Sequence, residues 1–186
     1  MLHKFIAGLL AMLVVAFAGV ALAAEAKEKE GEASIKNKGL ENTPLRNTLI
    51  KNIDLDKIYN SKIDFGIITY SFKDREPLEL FKKDIPKDEL IDFILASSCF
   101  PIFKAQKIGG MELVDGGFYD NAPTNMLINH GYKNIIIADV EGVGFSRRTI
   151  DKSVYLKVLS PSEDLGGIFN FNKNKIRKNI LLGYLD

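Results

Sequence analysis

The sequence predicts an α/β layered fold with a mainly parallel sheet. Segments of helical and strand periodicity follow one another along residues 39–186, the order expected when helices pack on a sheet. Asn134 to Val140 (NIIIADV) is a continuous apolar run, the composition of a parallel-sheet strand buried on both faces. A helical stretch closed by Gly131 leads directly into it.

The chain opens on a leader. Met1 to Lys4 is a short basic start, Phe5 to Ala24 carries no charge, and Ala21-Leu22-Ala23 has the small-x-small pattern of a signal-peptidase site. Residues 1–23 therefore read as a secretory signal peptide. The rival is an uncleaved membrane anchor, because about 20 apolar residues span a bilayer. The expected location is secreted or periplasmic, membrane-anchored if the leader stays, and cytoplasmic if it is foreign to the domain. Residues 24–38 are charged and almost free of apolar side chains. They cannot bury enough surface to offset ordering and read as a flexible tether.

Thr43-Pro44 opens the next segment, with Thr43 as N-cap and Pro44 at the first helical position. Leu45, Leu49 and Ile53 recur at helical spacing behind it. Asp64 to Phe72 is rich in β-branched and aromatic residues and reads as a strand. Pro77 to Phe81 is a second strand, joined to it as a hairpin through Lys73-Asp74-Arg75. Asp88 to Ser97 is helical, Met111 to Val114 a short strand, and Pro123 to His130 a helix ended by Gly131. Val154 to Leu159 completes the strands, and Lys173 to Leu182 is a closing helix.

Composition narrows the function. The 25 Lys+Arg and 24 Asp+Glu give a net charge of +1, which argues against a nucleic-acid binder built on clustered cations. Cys99 is the single cysteine and His3 and His130 the only histidines. No intrachain disulfide forms, and there are too few soft ligands for a metal site. No cofactor is expected either. Glu141-Gly142-Val143-Gly144 follows an apolar strand but lacks the full dinucleotide spacing, so a nucleotide-binding reading is set aside.

Asp115 is the side chain of most interest. It stands at the end of a short strand and is followed by Gly116 and Gly117. A carboxylate on a tight loop at a strand end is a common way to present a base. Asp-Gly-Gly is also a good turn sequence by itself, and on these three residues alone the turn is preferred. His130 sits in the last helical turn, where a cation favours the helix dipole, so a structural role is preferred there too.

The surroundings of Asp115 add to this. Ala96-Ser97-Ser98-Cys99-Phe100-Pro101 precedes it by one loop, and Phe118-Tyr119-Asp120-Asn121-Ala122-Pro123 follows. Together with the Ile135–Val140 strand and the segments Ser160–Gly166 and Leu182–Tyr184, this ordered set resembles the C-terminal part of the patatin-like phospholipase family, the lipid acyl hydrolases. The resemblance spans residues 39–186. It implies a layered patatin-like fold and hydrolysis of carboxylic esters in lipids by a Ser–Asp dyad. Asp115 would be its proton acceptor and Gly116 and Gly117 its supporting glycines. An Asp near its reference pKa of about 3.9 is a weak base, so the role asks for partial desolvation.

What the resemblance requires and the sequence lacks is a nucleophile. No serine sits in Gly-x-Ser-x-Gly, the elbow that exposes the hydroxyl, and Gly144-Phe145-Ser146-Arg147-Arg148 fails at its last position. No upstream glycine-rich oxyanion loop appears. Ser97 and Ser98 match a structural loop of the family. The expectation is a domain without its N-terminal half, inactive alone and exposing sheet edges open to self-association. Expected partners are a lipid or acyl-ester substrate and, less directly, a membrane surface; no nucleic acid is expected. The alternative is a non-catalytic exported domain that binds a lipid or a partner, derived from such a hydrolase.

Overall fold

The computed structural model describes residues 39–100, 102–142, 144–147, 152–167 and 172–185. The signal segment and tether (1–38) lie outside the described residues. The chain divides into two compact units, Met1–Gly116 and Gly117–Asp186.

In the first unit, helix α1 (Thr43–Asn52) and helix α2 (Leu55–Asn60) precede a β1 (Gly66–Ser71), β2 (Glu76–Phe81) hairpin. Helix α3 (Leu90–Ser97), strand β3 (Gln106–Ile108) and strand β4 (Met111–Asp115) follow. α1 starts one residue earlier than expected: Thr43 is already helical and Asn42 is the N-cap, without a side-chain cap bond. α2 was not foreseen. Asp54 caps it by accepting from the Lys57 backbone N–H at 3.0 Å. At its other end the Lys82 ammonium donates to the carbonyls of Ile58, Ser61 and Ile63 at 2.8–3.2 Å.

The four strands form one sheet in the order β2-β1-β4-β3, and every neighbouring pair is antiparallel. This corrects the expected mainly parallel sheet. The reason lies in the connections. β1 turns into β2 through Phe72–Arg75, with Ser71 donating its hydroxyl to Asp74 at 2.7 Å. β3 turns into β4 through Gly109-Gly110 alone, at φ 56° and 81°, the left-handed pair that a two-residue hairpin needs. Such short links permit only antiparallel neighbours.

α3 lies between this sheet and α1. Leu90, Phe93 and Ala96 pack with Ile67, Ile85, Ile108 and Leu113, while Ile91 and Leu95 pack with Leu45 and Leu49. Leu90 and Leu113 are fully buried. Arg46 on α1 forms an ion pair with Asp92 on α3, which pins the two helices at their rim.

The second unit contains helix α4 (Thr124–Asn129), strand β5 (Asn134–Ala138), strand β6 (Tyr155–Leu159) and helix α5 (Lys173–Leu185). β5 and β6 are parallel, the only parallel strands among the described residues, and such a pair needs a long connection in place of a hairpin turn. β5 is not buried on both faces as expected. Ile135 and Ile137 are buried, whereas Ile136 is 42 % exposed. α4 is the described element packed against β5, so one face is covered and the strand alternates.

Candidate active site

Asp115 is the last residue of β4, an inner strand of the four-stranded sheet. Its backbone N–H donates to the Cys99 carbonyl at 3.1 Å, which ties the strand end to the loop leaving α3. The carboxylate is therefore positioned from two sides, by the β1 ladder and by that loop. Gly116 then turns the chain into a short 3-10 segment, Gly116–Phe118. A Cβ at position 116 would lie 2.3 Å from the Ile68 carbonyl oxygen and 2.5 Å from Ile68 Cγ2. Gly116 is thus required for close approach of two strands, a stricter demand than an ordinary turn makes.

Thr69 on β1 stands directly opposite Asp115 in the ladder, and directly opposed residues project to the same side of a sheet. Its side chain is fully buried, and Oγ1 has no hydrogen-bond partner among the described residues. The sequence offers no sign of this residue, because register alone brings it to Asp115.

Cys99 is buried and donates its thiol to the Lys104 carbonyl at 3.1 Å. Burial, and secondly the negative charge of Asp115, push the thiol up to about 11. It is therefore protonated at neutral pH and is no nucleophile. Ser98 donates its hydroxyl back into α3, to Ile94 O at 3.0 Å and Leu95 O at 3.3 Å. Ser97 ends the helix itself.

Gly117 and the residues after it are anchored within the second unit. The Gly117 carbonyl accepts from Phe145 N–H at 3.1 Å, and Phe145 O accepts from Asn121 N–H at 2.6 Å. Asp120, 2 % exposed, accepts from the backbone N–H groups of Ala122 and Arg147, each at 3.1 Å. The Arg147 guanidinium donates to Tyr119 O at 3.0 Å and lies over the Tyr119 ring, 4.5 Å from its centroid. Sequence reading passed over Asp120, whose only signal was its place before Asn121-Ala122-Pro123. Its carboxylate does structural work by tying two backbone segments together.

His130 follows α4, with its N–H bonded to Met126 O and Leu127 O. Its ring is exposed and stacked on Tyr132 at 5.9 Å between centroids. Gly131 ends the helix at φ 94°. Among the described residues no three His, Cys, Asp or Glu side chains gather where a metal ion could be held.

The family model for patatin-like phospholipase matches residues 5–128 of the 186. The match includes Asp115, Gly116 and Gly117. It begins inside the apolar segment Phe5–Ala24 and stops within α4, ahead of β5. It therefore reaches further towards the N-terminus than the motifs of residues 39–186 do, and less far towards the C-terminus. No curated protein matches the chain. The match over most of the chain, with the Asp-Gly-Gly segment inside it, shows that this protein belongs to the patatin-like phospholipase family.

Proposed function

We propose that Asp115 is the general base of a Ser–Asp dyad that hydrolyses carboxylic esters of lipids, with a serine supplied from outside residues 1–186. The observation that carries this is the placement of Asp115 at the end of an inner strand, between the Cys99 backbone clamp and a glycine that no other residue can replace. Membership of a lipid acyl hydrolase family supplies the chemistry. Asp115 takes the hydroxyl proton as the serine oxygen bonds to the ester carbonyl carbon. The proton then passes to the departing alkoxide. Water repeats the two steps on the acyl-serine, releasing the fatty acid.

The sequence has no Gly-x-Ser-x-Gly segment, and the Ser98 hydroxyl is committed to its own helix. β6 is exposed at all five positions, an edge to which the strands that carry the serine can add. Residues 1–23 favour export as the setting for this assembly.

The test is fluorophosphonate labelling of the protein, alone and co-expressed with a polypeptide carrying a patatin-like elbow. Labelling is expected only in the complex and on the partner's serine, and Asp115→Asn should slow it about a hundred- to ten-thousand-fold. A labelled serine on this chain, or a complex indifferent to Asp115→Asn, overturns the proposal. A stable complex that labels nowhere leaves a non-catalytic lipid- or partner-binding domain.

A further inference from the structure

α5 (Lys173–Leu185) holds to its unit by polar groups. Lys175 donates to Asp164 O at 2.7 Å, Asn179 Nδ2 donates to Leu165 O at 2.8 Å, and Lys178 pairs with Glu163 at 2.6 Å. None of its residues is buried. Ile176 and Leu182 are half-buried, whereas four large apolar side chains point away into solvent, from 58 % exposed for Leu181 to 85 % for Tyr184, with Ile180 and Leu185 between. These four depart from the usual arrangement, in which a surface helix turns its apolar side chains towards the protein. A cluster of exposed large apolar residues marks an interaction site.

The chemistry of the helix says what covers it. Lys173, Lys175, Arg177 and Lys178 occupy its first half, and there is no Asp or Glu between Lys173 and Leu185. The exposed aliphatic residues and the tyrosine occupy its last two turns. A helix of this length is about 20 Å long, so the charged and apolar halves are separated along the axis. A bilayer offers the matching layers: anionic headgroups for the cations, and acyl chains just beneath for Ile180, Leu181 and Leu185. Tyrosine is favoured at the boundary of the two.

We infer that α5 is an interfacial docking helix that lays the protein on an anionic lipid surface, its apolar C-terminal turns inserted and Lys173 and Arg177 at the headgroups. The inference is independent of any role of Asp115 in catalysis.

The chain has no tryptophan, so Tyr184→Trp provides a single reporter on this helix in the full-length protein. With vesicles of phosphatidylcholine and phosphatidylglycerol, its emission should shift to the blue and be quenched by brominated acyl chains. Pure phosphatidylcholine should give a much smaller response. Adding Lys173→Gln and Arg177→Gln should raise the anionic lipid concentration at half-quenching about thirty-fold, each cation contributing roughly a factor of five. Vesicle binding without quenching of residue 184 would assign adsorption to the apolar leader and overturn the inference. So would a blue shift that grows with protein concentration in the absence of lipid, since a second copy would then be the cover. Failure to bind vesicles at all overturns it equally.

Discussion

The two compact units differ in what their apolar side chains meet. In Met1–Gly116, a helix is enclosed by a sheet on one side and another helix on the other, and Leu90, Leu95 and Leu113 are at most 1 % exposed. In Gly117–Asp186, strand and helix form equally well, yet β6 is exposed throughout and α5 has no buried residue. There the chain relies on side-chain-to-backbone clamps such as those of Asp120 and Arg147. The difference teaches that local pattern suffices to form elements, whereas cooperative stability needs a closed layer. The carboxylate assigned to catalysis belongs to the closed part.

The sharpest way to break this comparison is to open the first core. Leu113 is fully buried at the centre of its cluster, and Leu113→Ala should cost about 3–5 kcal/mol, through lost burial and the cavity left behind. Urea unfolding should show one transition moving sharply downward in midpoint. A loss below about 1 kcal/mol would mean that the layer relaxes freely and that the contrast between the units is overstated.

A second, smaller effect tests whether the loop around Asp115 belongs to that closed layer. The Cys99 thiol sits at about 11 against an ordinary 9.0, through burial first and the Asp115 charge second. A folded pKa raised above the unfolded one gives stability that is complete below the unfolded value and is lost as pH rises through the folded value. Between pH 9 and 11 the protein should therefore lose about 2–3 kcal/mol, and Cys99→Ala should flatten that loss. Asp115→Asn should lower the pH at which the single thiol becomes reactive, read by the rate of alkylation. An unchanged profile in Asp115→Asn would separate the carboxylate from Cys99.

These two sites also show what the sequence made legible. Asp115, Gly116 and Gly117 could be singled out because several short motifs stand around them in a fixed order. The hairpin of β1 and β2 and the helix α3 announced themselves by periodicity, since their apolar positions meet a core. Strand direction was misjudged because apolar composition reports burial and not orientation. Gly109-Gly110, a pair that suits a two-residue hairpin, decides it for β3 and β4. β3 has three residues and α2 six, too short for a period to emerge. Thr69 was invisible, because its position opposite Asp115 is set by the register of β1 on β4 and by nothing local. For β5, Ile135, Ile136 and Ile137 are chemically identical, so composition could not tell that only two of them would be covered.

That strand gives the smallest and most discriminating prediction. Ile136 is 42 % exposed, whereas Ile137 next to it is 7 % exposed. Threonine keeps the β-branched shape and strand preference of isoleucine while removing apolar reach. Ile136→Thr should therefore change stability by no more than about 0.5 kcal/mol, whereas Ile137→Thr should cost about 1–3 kcal/mol, because its hydroxyl would be buried. The two variants differ only in which face of one strand they alter, so measuring both urea midpoints cancels any general effect on β propensity. Equal losses at the two positions would mean that the outer face of β5 is covered in solution. The second unit would then have its own closed layer, and the contrast with the first would disappear.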